Sequence, residues 1–269
     1  TSVPLALRRA PSTIQPWYGP ERSFSYLAEV QPVLDRHCVK CHDFDKPAGR
    51  KLVLAGDRDP YFNASYTELW RKNYIKVIGA GPAGIQQPYS WGSHASRIVK
   101  VIREGHPEGS GGPGPDKLKL DKESFARIVT WVDINAPYYP TYATGYPLNA
   151  GGRSPLDDGQ LGRLGALTGV NWGAQRSCGS SSGPWLSFER PELSPCLAKL
   201  DKGSEQYKEA LAIIAAGRDA LAKQPRGDTL NFEPCETDRK REAFYEQRLK
   251  VELANRRAIR ENKKLYEKE

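Results

Sequence analysis

Cys38, Cys41 and His42 stand together in Arg36-His37-Cys38-Val39-Lys40-Cys41-His42, a C-x-x-C-H within a chain of 269 residues. Two thiols at that spacing can add across the two vinyl groups of a porphyrin, and an imidazole on the next residue falls under the ring centre as an axial iron ligand. The pattern therefore predicts one covalently attached haem c, held by Cys38, Cys41 and His42. A thioredoxin-like redox pair would need a βαβ setting, which Pro32 and the following loop do not supply. A zinc site would need two further ligands at short spacing, and the remaining cysteines, Cys178, Cys196 and Cys235, are more than 130 residues away.

A haem iron has a second axial face. The chain contains no methionine, which excludes His/Met ligation from within it. Besides His42 the histidines are His37, His94 and His106. His37 precedes the first cysteine on the proximal side. His106 follows Gly105 and opens the Gly/Pro-rich loop 106–115, where a distal ligand is expected; His94, at the head of a predicted helix over 93–102, is the alternative, and an open face is the third case. A second imidazole would close the iron to small ligands and lower its potential relative to a thioether, which suits electron transfer. An open face would suit an enzyme acting on a small nitrogen or oxygen species.

These groups need helices to hold them. Val30–His37 reads as a short helix with Pro32 in its first turn, where a missing N–H costs little, running directly into the motif. A second helix over 123–134 places Phe125, Ile128, Val129 and Val132 on one face behind an Asp121 cap. Gly79-Ala80-Gly81-Pro82-Ala83-Gly84 matches the G-x-G-x-x-G fingerprint of dinucleotide sites, but no helix pattern follows to hold a pyrophosphate, so a plain loop is expected. Residues 1–22 read as an extended arm and 136–147, rich in tyrosine and proline, as an ordered wrap. Residues 151–173 read as a polar Gly-rich connection, and Trp185–Phe188 as a short strand or an extended cover. Glu205–Lys223 and Thr237–Lys268 are predicted helices. The second is long and highly charged, and is expected to dock one narrow face on the domain; the sharper alternative is an arm that binds a partner protein.

The fold class that follows is mainly α, a loop-rich haem domain over 23–145 with a helical extension over 146–269. The charge balance is 40 basic against 32 acidic residues, net +8, with eleven basic and seven acidic residues in 237–269. No basic stripe with interleaved aromatics stands out elsewhere, which argues against a nucleic-acid partner. No apolar run is long enough to span a bilayer, and the mean hydropathy is −0.64. The lack of methionine points to a processed chain or a piece of a longer one. Haem c attachment takes place outside the cytoplasm, so a periplasmic or equivalent compartment is expected. Disulfides persist there, and a Cys196–Cys235 bridge that leaves Cys178 unpaired is one expectation.

Several segments carry a family resemblance. Val33 to His42, Leu52-Val53-Leu54-Ala55-Gly56-Asp57, Tyr61 to Tyr66, Trp91-Gly92-Ser93, Gly105-His106-Pro107 and Trp131 to Tyr139 resemble the cytochrome c-like domains of planctomycetes and related bacteria. More closely, over residues 25–145 the set looks like the C-terminal haem domain of hydrazine synthase alpha-subunit-like proteins. The resemblance implies a bis-histidine electron-transfer haem with His42 proximal and His106 distal, serving a redox partner or other parts of a larger complex. It does not imply hydrazine synthesis, because the chain has no second C-x-x-C-H and no catalytic-haem domain.

Overall fold

The computed structural model describes residues 13, 15–78, 84–106, 112, 118, 120–177 and 183–263. Among these residues the regular structure is helical, with an isolated bridge between Arg58 and Asn63 in place of any strand. The helices are α1 (Tyr26–Glu29), α2 (Gln31–His37), α3 (Ala64–Arg71), α4 (Arg97–Glu104), α5 (Lys122–Asp133), α6 (Asp158–Thr168), α7 (Trp172–Gln175), α8 (Glu205–Lys223) and α9 (Glu236–Arg260). No helix among the described residues is long and apolar enough to cross a membrane.

Local chemistry explains most of the boundaries. Pro32 occupies the first turn of α2. The Asn63 side chain accepts from the Tyr66 N–H at 3.0 Å to start α3, and Asp121 accepts from Ser124 N–H at 2.9 Å to start α5. Each cap satisfies a backbone donor that has no partner inside its helix. Asp157 and Gln160 form a reciprocal capping box on α6, which ends at Gly169 in the left-handed region (φ +76°). The span 151–173 is therefore largely helical rather than a plain connection. Its glycines weaken the helix pattern, but Leu161 and Leu164 bury one face of α6.

Two large apolar clusters result, with a small third one of Val53, Ala55 and Ala64. The first gathers Tyr26, Leu34, Leu69, Ile128, Trp131 and Val132, all at most 1% exposed. The second is built on Leu156, Leu164, Leu186, Phe188 and Ile214. Trp185–Phe188 is an extended cover over the second cluster, tied to the first unit by Phe188 N–H donating to the Arg58 carbonyl at 3.0 Å. Elsewhere the two units meet through charge. Arg226, fully buried, donates to both Asp228 carboxylate oxygens (3.0 and 2.7 Å) and to the Asp59 and Phe62 carbonyls (2.7 and 2.8 Å). The Tyr138 hydroxyl donates to Asp228 at 2.9 Å.

Two expectations are corrected. Cys196 is buried in the second cluster while the Cys235 thiol, at the head of α9, donates to Asp238 Oδ2 at 3.4 Å, so the two are free thiols and no bridge joins them. Cys178 lies outside the described residues. Second, α9 does not lay a face on the domain. Among its described residues Asp238 alone is buried, accepting from Thr144 N–H at 3.0 Å, and the helix beyond stands in solvent. Its large apolar residues spread over about half of the helix circumference rather than forming one narrow stripe, and they are exposed.

Candidate haem-binding site

The motif leaves α2 as a helical turn. Cys38 N–H donates to the Leu34 carbonyl at 2.7 Å, Cys41 N–H to the Cys38 carbonyl at 3.1 Å, and His42 N–H to the same carbonyl at 3.0 Å. Cys38 packs against the first cluster, whereas Cys41 is exposed. Burial pushes the Cys38 thiol up to about 12, with Cys41 and Asp35 adding to the shift, so it is a protonated thiol at neutral pH.

His42 is fixed at both ends. Its backbone carbonyl accepts from Leu54 N–H at 2.8 Å. Its Nδ1 lies 2.9 Å from the Leu52 carbonyl, which can only accept, so Nδ1 carries the proton and Nε2 presents a lone pair. Burial holds the imidazole below its ordinary pKa, the Leu52 carbonyl opposes that, and the charge of a nearby His106 adds to it. A neutral ring with its second nitrogen anchored to a carbonyl is the arrangement a metal-ligating histidine needs.

The structure brings His106 to His42. The two imidazoles lie within 15° of parallel with centroids 5.9 Å apart. Such a spacing leaves room for a metal between two imidazole nitrogens that face one another. Two glycines place His106. Gly105 ends α4 at φ +81°, ψ −178°, a conformation open essentially to glycine, and so turns the chain out of the helix. A β-carbon on Gly112 would come 2.4 Å from His106 Cγ, so the imidazole sits in a hollow that only a glycine leaves.

The other candidates go elsewhere. His94 lies in a 3-10 turn (Gly92–His94) that precedes α4, is exposed, and sets its ring 4.8 Å from Tyr89. Ser93 is held by Asp133, so the predicted helix over 93–102 begins only at Arg97. His37 closes α2 with its Nε2 buried and without a hydrogen-bond partner among the described residues. Residues 79–83 of the glycine-rich segment lie outside the described residues, and no helix starts at Gly84.

One contributor carries no motif. Arg190, from the second unit, donates to both oxygens of Asp43 (2.8 and 2.6 Å) and both of Asp57 (2.8 and 2.7 Å). Asp43 directly follows His42 and also accepts from Phe44 N–H at 2.7 Å. The Arg190 bonds hold the Asp43 carboxyl below its usual range against a smaller opposing effect of burial. Its guanidinium thus clamps the exit of the motif to the segment that leads into α3.

No family model, no curated protein and no solved structure matches this chain. Among the described residues no group of three or more His, Cys, Asp or Glu side chains converges as a metal site.

Proposed function

We propose that this chain is a c-type cytochrome module of the kind found in hydrazine synthase alpha-subunit-like proteins, carrying one haem and passing single electrons. Cys38 and Cys41 would hold the porphyrin by thioethers, with His42 as proximal and His106 as distal ligand. The observation that carries this reading is the near-parallel pairing of His42, which directly follows Cys41, with His106, 64 residues further along the sequence. Two imidazoles alone make a weak metal site, whereas a porphyrin supplies the four equatorial bonds and leaves two axial places for them.

When bound, such a group supplies reversible one-electron chemistry at an iron whose potential follows its axial ligands. The chain's own residues would set the rest. The Leu52 carbonyl orients His42 and raises its basicity, Gly112 admits His106, and Arg190 fixes the turn behind the proximal ligand. A closed pair of imidazoles favours electron transfer over chemistry on a small molecule. The donor or acceptor would be a redox protein, or other domains or subunits of a larger complex, in an extracytoplasmic compartment where haem c is attached.

The test is direct. Protein matured with haem should gain about 616 Da per chain, the mass of one haem. It should show a low-spin spectrum that carbon monoxide leaves unchanged in the reduced state. His106→Ala should turn that spectrum high-spin and open it to carbon monoxide. A low-spin spectrum unaltered by His106→Ala would refute the distal assignment, and a chain without covalent haem after correct maturation would refute the whole reading.

A further inference from the structure

Helix α9 is 25 residues long, about 37 Å at 1.5 Å per residue. Six of its large apolar side chains are more than half exposed: Phe244, Tyr245, Leu249, Val251, Leu253 and Ile259. Phe244 is partly covered by Arg248, whose guanidinium carbon lies 5.6 Å from its ring. The side bearing Leu249 and Leu253 has a different character. Reading along it at alternating steps of four and three gives Glu242, Glu246, Leu249, Leu253, Arg256 and Arg260. That is the seam spacing of a coiled coil.

The order of these six residues is the same from either end, with the sign of charge exchanged. Laid antiparallel on a second copy, Leu249 meets Leu253, Glu246 meets Arg256, and Glu242 meets Arg260, each pair occurring twice about the twofold axis. Tyr245 and Ile259, beside the seam, then come together at both ends. Laid parallel, the same helices would oppose glutamate to glutamate and arginine to arginine. Arg256 bonds Glu252 of its own helix at 2.8 Å, but both are exposed and such a pair is readily exchanged. From this self-complementarity we infer that α9 is a homodimerisation helix, and that its exposed side is covered by α9 of a second copy, antiparallel. The interface would bury on the order of 1,000 Å² in total, at the lower edge of specific interfaces, so the dimer is weak and depends on concentration.

The inference does not rest on the haem and is tested on the full chain. Sedimentation equilibrium over micromolar to high-micromolar concentrations should show the wild type moving from the 30.0 kDa monomer towards twice that mass. Glu242→Arg/Glu246→Arg places arginine along both ends of the seam, and Arg256→Glu/Arg260→Glu places glutamate there. Each double variant should weaken association at least tenfold while circular dichroism shows the helix retained. An equimolar mixture of the two should regain the dimer, because every end pair again has opposite signs. A wild type that stays monomeric throughout, a variant that associates like the wild type, or a mixture that stays monomeric would overturn the assignment.

Discussion

Arg190→Gln tests whether the second unit holds the proximal side of the candidate site. The guanidinium makes four hydrogen bonds to two carboxylates, and the Asp57 side chain is only 8% exposed. Glutamine cannot reach both, so Asp43 and Asp57 would lose the cation that bonds them together, leaving Asp43 only the weaker influence of Lys46. Removing one partner of a buried ion pair costs about 3–5 kcal/mol. Arg190 is itself 32% exposed, which allows water to relieve part of the loss and places the cost near the lower end, at about 3 kcal/mol. For a chain of this size that corresponds to a fall in Tm of about 6–12 °C, read by calorimetry. Hydrogen exchange should locate the damage, with the Phe44 amide, now bonded to Asp43 at 2.7 Å, losing protection first. Adding Asp57→Asn to Arg190→Gln should recover at least about 1 kcal/mol by removing one of the stranded charges. A loss below about 1 kcal/mol, or an Asp57→Asn effect that simply adds to it, would refute the clamp.

Other changes follow from the same geometry. Gly112→Ala should push the His106 ring out of its hollow and convert a low-spin haem spectrum to a mixed or high-spin one, leaving haem attachment at Cys38 and Cys41 intact by mass. Arg226→Met should cost about 3–5 kcal/mol in denaturant titration by stranding Asp228 beneath Tyr138, and a joint Asp228→Asn should return part of it. Before haem attachment the chain should lose stability on acidification in two steps, measured by urea titration against pH. His42 has a folded pKa below the ordinary histidine value of about 6.5, so the unfolded chain binds its proton first and stability falls as pH drops below that value. Asp43 is also depressed, so its stabilisation is complete above about 3.9 and disappears as pH falls through its lower folded value; His42→Gln should abolish the first step and keep the second.

The sequence made legible whatever local chemistry decides. C-x-x-C-H is a contiguous motif, Asp121 is a cap set directly before apolar periodicity, and the helix expected over Glu205–Lys223 has those bounds. The absence of methionine and the position after Gly105 favour His106 as second axial residue in the sequence, with His94 and an open face as the alternatives. The alternative His94 was open in the sequence because a serine cap and an apolar run fit a helix from 93; the bonds from Ser93 to Asp133 that break that helix span 40 residues. The same limit hides Arg190, 147 residues from Asp43, and Gly112, whose role depends on where an imidazole six residues earlier is folded back. α6 carries a sequence signal in the Asp157–Gln160 capping box, which Gly159, Gly162 and Gly165 inside the helix outweigh. For α9 the helix was readable and its docking was not. A helix with apolar residues spread over a broad arc can form by propensity, while what covers it is a matter of tertiary structure.

Composition suggests a boundary near 145, and the two apolar clusters agree with it, yet the chain does not separate there into independent parts. The contacts across the boundary are not the loose polar contacts of two domains that move freely. Arg226 is fully buried and takes its partners from Asp59, Phe62 and Asp228, while Arg190 takes its partners from Asp43 and Asp57. Every one of the first unit's groups in that set lies between His42 and the start of α3. Charges buried in this way contribute little net stability, since desolvation offsets most of the attraction, but they penalise any displacement that parts them. The second unit therefore acts on the site as a restraint. It fixes the short segment after His42 against α3, and with it the Leu52 carbonyl that lies 2.9 Å from Nδ1 of His42, whose ring centroid is 5.9 Å from that of His106.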